Sequence, residues 1–227
     1  MDDAARAKAE TLLRASAWIS ERGEDLITPL LDHGRIVALA PGQWAQGEGD
    51  DETGVLVVLE GTVQMLCQAP GDREILIGQA GPGVAIGQTL RFGGGPRLVT
   101  VICTQPALLL QASDRALGRI AANHPAIWEA VAALLYLQLR GLLTLLAQGA
   151  LPPRQRLAAR LLLLLAGAGR AGDTVTVSQQ ALGEMTGLTR KTVNGYLGDF
   201  ERAGLLRRGY GALRLTDRAG LGRIASR

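Results

Sequence analysis

The stretch SQQALGEMTGLTRKTVNGYLGDFERAGLL, residues 178–206, decides how the rest of the chain is read. Its spacing predicts a short helix over residues 179–185, a turn at Thr186, Gly187 and Leu188, and a second helix beginning after Thr189. Ser178 and Thr189 stand where N-caps belong, each with a hydroxyl able to accept an orphan backbone N–H. In the second helix Val193, Leu197 and Phe200 recur at helical spacing and face inward, which leaves Arg190, Lys191 and Asn194 on the outer face of the first turns. Arginine suits guanine O6 and N7, asparagine suits adenine N6 and N7, and lysine serves a guanine or a phosphate. The pattern is that of a helix-turn-helix whose second helix enters a major groove.

Two ordinary amphipathic helices would share much of this pattern, so the flanks matter. Ala203 and Gly204 end the second helix, and residues 205–208 and 212–216 read as short strands joined by Gly209, Tyr210 and Gly211, which is a wing. Arg207, Arg208 and Arg214 on the wing are expected to contact phosphates, together with Ser178, Thr189 and Thr192 near the helix starts. Charge agrees. Residues 152–227 hold 13 Lys plus Arg against 5 Asp plus Glu, whereas residues 1–151 hold 11 against 16. Segregation of basic charge into one part is what a polyanion-binding module joined to a different domain should show.

With 227 residues, 47% hydrophobic and 20% charged, the chain is long enough for two cores and is not a disordered polymer. Its opening MDD has neither a basic start nor an apolar run, so no secretion signal is read and a cytoplasmic location is expected. Cys67 and Cys103 lie in separate apolar runs without CxxC spacing and read as small buried hydrophobes. With His33 and His124 the only histidines, a metal centre is not expected.

Residues 35–39, 55–59, 62–67, 74–77, 84–86, 98–103 and 107–112 read as strands at roughly 10-residue spacing, with Glu60-Gly61 and Pro70-Gly71-Asp72 as turns. This regularity suggests a small antiparallel barrel or jelly roll. The residues before Arg35 read as two short helices.

Residues 125–151 read as one long helix. Trp128, Val131, Leu135, Gln138, Leu142 and Leu145 recur at alternating steps of three and four, the seam of a coiled coil, and Leu139, Leu143 and Leu146 form a second apolar stripe. One stripe can pack on the strands while the other meets a second subunit. A membrane helix is the competing reading, but Arg140 near its middle would cost about 2.5 to 3.5 kcal/mol on insertion scales. Pro152 and Pro153 mark a hinge before a core helix over about residues 154–168.

The runs APGQWAQGEGDDETGVLVVLEGTVQM and GPGVAIGQTLRFGGGPRLVTV, followed by the helix-turn-helix, resemble the CRP/FNR superfamily of bacterial transcription regulators along nearly the whole chain. The resemblance implies an α+β fold. Residues 1–124 would form N-terminal helices and an antiparallel, jelly-roll-like β-roll of the cyclic-nucleotide-binding-domain type. Residues 125–151 would be a dimerisation helix, and residues 152–227 a winged helix-turn-helix. It implies a homodimer on double-stranded DNA with an approximately palindromic operator, half-site centres about 34 Å apart, and RNA polymerase as a candidate further partner. No catalytic role is expected.

In relatives that bind cyclic nucleotides, a Gly-Glu pair meets the ribose, and an Arg followed by a small residue holds the phosphate. Here Gly87 and Arg97 match, but Gln88 replaces the acid and Leu98 the small residue. Each loss is expected to cost about 1 to 3 kcal/mol in a buried site. Gly141 and Leu142 stand where hydroxyl residues would meet adenine in the cAMP-responsive branch, and neither offers a side-chain donor. Tight cAMP binding is therefore not expected, and both another small effector and loss of ligand control stay open. In the second DNA-reading helix, Arg190 matches a common base-contacting arginine. Lys191 stands where an acidic cytosine reader is frequent, and Gly195 where a second arginine often stands, so a different operator is expected. The other reading is a ligand-binding or protein-interaction module carrying a degenerate DNA-binding domain.

Overall fold

A computed structural model describes residues 3–21, 23–71, 73–167 and 172–226. The chain opens with α1 (Asp3–Arg14), α2 (Ala17–Ser20), a 3-10 turn (Glu24–Leu26) and α3 (Ile27–His33). This is more than the two short helices expected, because breaks at Ala15-Ser16 and Gly23 divide the segment. The strands β1 (Arg35–Leu39), β2 (Trp44–Gln46), β3 (Gly54–Glu60), β4 (Val63–Ala69), β5 (Arg73–Ala80), β6 (Ala85–Gln88), β7 (Thr100–Cys103) and β8 (Ala107–Ser113) follow. They pair antiparallel in two four-stranded sheets, ordered β1-β8-β3-β6 and β2-β7-β4-β5. Of the Pro70-Gly71-Asp72 turn, Asp72 lies outside the described residues.

Strand β3 shows how the roll is built. Its continuous apolar run GVLVVL is buried on both faces, which alternating burial alone could not explain. Leu56 and Val58 point between the sheets with Val63, Val101 and Leu109, while Val55, Val57 and Leu59 point to the helices. There they meet α1 through α3, then α4 (Asp114–Ala121) and the first turns of α5 (Ile127–Gly149). Ser113 starts α4 by accepting the Ala116 N–H at 3.3 Å. Cys103 is buried in the roll, where burial raises its thiol pKa; Cys67 is only half-buried, contrary to expectation, because its strand register leaves it partly open.

After α5 the chain turns into α6 (Pro153–Gly167), which begins at Pro153; the expected end at residue 168 lies outside the described residues. Next come β9 (Thr174–Thr176), α7 (Gln179–Thr186), α8 (Arg190–Arg202), β10 (Leu206–Arg208), β11 (Ala212–Leu215) and α9 (Arg218–Ala225). The wing thus has a third strand, β9, which pairs with β11; three residues were too short a run to be read as a strand. Phe200, Val193, Leu197, Leu182, Leu161 and Leu221 form the core of this module.

Strand β5 is the edge of its sheet, and the module covers it. Leu76 of β5 joins the module's core. Gln79 donates to the Leu164 carbonyl at 3.2 Å, and the Gly81 N–H to the Gly167 carbonyl at 2.7 Å. Buried Arg160 donates to the carbonyls of Ile77 and of Met185 near the C-terminal end of α7, so one guanidinium ties β5, α6 and α7 together.

Candidate nucleic-acid interface and effector cassette

The reading helix is assembled by caps and a tight turn. Ser178 Oγ accepts the Ala181 N–H at 3.0 Å, and Thr189 Oγ1 accepts the Thr192 N–H at 3.1 Å. Thr186 is the last residue of α7 rather than part of the turn, and Gly187 closes the helix with φ +64°. Gly183 is required where sequence spacing gave no warning: a Cβ there would sit 2.6 Å from the Leu188 carbonyl oxygen, where the turn crosses α7. The hydroxyls of Ser178 and Thr189 are therefore used as caps, and Thr192 Oγ1 lies 2.9 Å from that of Thr189.

Burial of Val193, Leu197 and Phe200 holds α8 so that Arg190, Lys191 and Asn194 are exposed together. Gly195 shares this open face, with nothing within 4 Å of an added Cβ, so packing within the chain does not demand glycine there. On the wing Arg207 is exposed and has no ion pair among the described residues. Arg208 and Arg214 each carry an ion pair. Arg208 Nε donates to Glu201 at 2.6 Å and Arg214 Nε donates to Asp173 at 2.6 Å, so each guanidinium is oriented by a carboxylate. The Arg208 backbone N–H and guanidinium hold the Glu201 carboxyl below the usual carboxylate range, and hydrogen bonds from Arg214 and Thr174 do the same for Asp173.

Gly87, Gln88, Arg97 and Leu98 come together, but as a closed loop. The Gln88 carboxamide donates to the carbonyls of Gly95 (2.8 Å) and Pro96 (2.5 Å) and accepts the Leu98 N–H at 3.0 Å. It therefore takes up the polar groups of the loop itself. Leu98 turns its side chain outward. Arg97 donates to the carbonyls of Glu52 (2.9 Å) and Gly54 (3.0 Å); burial lowers its pKa, partly offset by Asp114, Asp50 and Glu52. Gly87 is pressed against α5: an added Cβ would lie 2.7 Å from Leu134 Cδ2, and both its N–H and its carbonyl are bonded by Gln138, at 3.0 and 2.8 Å. In this arrangement the Gly87 backbone and the Gln88 carboxamide are engaged within the protein, and Arg97 is directed at two backbone carbonyls. Beyond Arg97 lies a cavity of about 560 Å³ lined also by Arg35, Asp50, Glu52 and Arg119. Among the described residues no group of three metal-ligating side chains converges.

The seam expected on α5 is only partly open, and Val131 is not available to a second subunit. Val131 is fully buried in the roll's outer core, Trp128 and Leu135 pack against that core, and Gln138 is bonded to β6. Leu145 is half-buried, and only Leu142 is well exposed. The open stripe is Ala132, Tyr136, Leu139, Leu143 and Leu146, which includes the second stripe read from the sequence and keeps coiled-coil spacing. This 23-residue helix, with an 18-residue stretch of mean hydropathy 1.7, is long and apolar enough to cross a membrane by length and composition alone.

A β-roll, a long helix with one open apolar stripe and a basic winged helix-turn-helix together define a two-domain, DNA-binding transcription regulator. Residues 36–124 match the cyclic nucleotide-binding domain family and residues 155–224 the Crp-like helix-turn-helix domain family. The chain belongs to the CRP/FNR family of transcription regulators. Among solved structures it is similar to TTHB099, a CRP-family transcriptional regulator of Thermus thermophilus, with 26% identity, TM-score 0.65 and coverage of 84% of this chain and 97% of that one. FixK2 of Bradyrhizobium japonicum shares the fold at 20% identity and TM-score 0.69, covering 84% and 96%. So does CLP, the c-di-GMP-responsive regulator of Xanthomonas campestris, at 20% and 0.65, covering 85% and 99%. A comparison with curated protein sequences finds no match.

Proposed function

We propose that this regulator acts in the cytoplasm as a homodimer, reads an approximately palindromic operator, performs no chemistry and does not depend on cAMP. The exposed triad Arg190, Lys191 and Asn194 on a capped, well-packed helix carries the reading. Arg190 and Lys191 are base or phosphate readers with no acid paired to them among the described residues, and Arg207 contacts the backbone. The helices α5 of two copies pair through Tyr136, Leu139, Leu143 and Leu146, which supports a soluble dimer rather than a membrane span. RNA polymerase is the further partner expected of an activator.

Two measurements test this. Arg190→Ala is expected to cost about 1 to 3 kcal/mol on the cognate operator and to relax one position in each half-site, whereas Arg207→Gln should weaken all duplexes alike and reduce the salt slope by about one per site. Equal loss from both on all sequences would remove the base-reading assignment. In thermal melting, a ligand present at one hundred times its dissociation constant adds about 2.7 kcal/mol, a shift of several degrees. Millimolar cAMP is expected to leave the melting temperature unchanged, and a shift of that size would show that the cassette opens for it.

A further inference from the structure

We infer that Arg208 is a positioning residue that fixes the Asn194 carboxamide so that it presents hydrogen-bond donors, selecting guanine rather than adenine; this rests on the base-reading role of α8. Asn194 Oδ1 accepts from Arg208 Nη1 at 3.0 Å and from Gln179 Nε2 at 3.4 Å. Arginine carries donors only, so the atom turned toward it has to be the amide oxygen. The two bonds use both lone pairs of that oxygen, and the NH₂ is the end left for the groove. Arg208 is itself anchored: Glu201 accepts its backbone N–H at 2.8 Å and its Nε at 2.6 Å. A chain of contacts thus runs from the end of α8 through the wing to the reading face. Gln179, the first residue of α7, donates to the same oxygen.

The consequence follows from base-edge chemistry. Bidentate recognition of adenine needs an amide that accepts from N6 while donating to N7. With Oδ1 engaged, the accepting half is gone, and the adenine N6–H₂ would face another donor. Guanine offers O6 and N7, two adjacent acceptors, to the free NH₂, while the cytosine N4–H₂ offers it none.

Duplexes selected from a random pool by the full-length protein, by Asn194→Ala and by Arg208→Met test the inference. The position that becomes degenerate in Asn194→Ala is the one Asn194 reads. The wild type is expected to prefer guanine over adenine there by at least tenfold, and Arg208→Met to lose or invert that preference while the position read by Arg190 is unchanged. Adenine at that position in the wild type would overturn the inference and leave base reading intact. An Arg208→Met variant that weakens every duplex equally with the preference preserved would make Arg208 a phosphate contact and also overturn it. If Asn194→Ala changes no position, the base-reading assignment itself falls. The wild-type preference alone separates guanine from adenine, so the test holds even where Arg208→Met does not fold.

Discussion

Phe200→Ala is expected to destabilise the winged helix-turn-helix by about 3 to 5 kcal/mol, the usual cost of emptying a fully packed aromatic site. Phe200 is completely buried, shares its core with Val193, Leu197 and Leu182, and lies under the Arg154 guanidinium, 5.6 Å from its ring centroid. A domain of ordinary stability, about 5 to 15 kcal/mol, loses a large fraction of it. The β-roll has its own cores between its sheets and beneath its helices, neither of which includes Phe200. Calorimetry should therefore show the C-terminal transition moving down by many degrees while most of the β-roll transition remains, with operator binding lost as the module melts. A shift of less than about 1 kcal/mol would mean that Phe200 is not the keystone of the reading domain.

Leu143→Asp should separate the subunits. Leu143 is 56% exposed at the centre of the α5 stripe, between Leu139 and Leu146. Burying one leucine contributes about 1.5 to 3 kcal/mol, and two-fold symmetry counts it twice. Placing two carboxylates in that seam removes both contributions and adds repulsion. A weakening of dimerisation by at least about a hundredfold is expected, since each 1.4 kcal/mol is tenfold. Sedimentation equilibrium reads the change, and operator affinity should fall with it because a monomer engages one half-site. A variant that remains fully dimeric would place the interface elsewhere.

The reading module was legible because its signals are local: two hydroxyl caps, an i, i+4, i+7 apolar row and glycine closures lie within about thirty residues of sequence. Most strands of the roll were legible from turns and apolar runs. What was not legible depended on partners distant in sequence. β2 and β9 are three residues long and owe their existence to pairing with β7 and β11. On α5 two apolar stripes of similar quality run along one helix. Only the packing of Val131 on the roll and of Gln138 on Gly87, more than fifty residues away, tells which stripe is already spent. Gln88 read as a lost ribose contact, but its role as the staple of residues 95–98 is a matter of three-dimensional closure. The partners of Arg208 were hidden for the same reason: Glu201 and Asn194 meet it only when the wing folds back on α8.

The most direct test of a cAMP-independent dimeric reader is selection of wild-type-bound duplexes from a random pool, with and without cyclic nucleotides. The expected result is one enriched, approximately palindromic motif, its half-sites about 10 base pairs or a multiple apart from centre to centre, identical in both arms. No enriched motif, an asymmetric one, or a motif that emerges only with the nucleotide would contradict it.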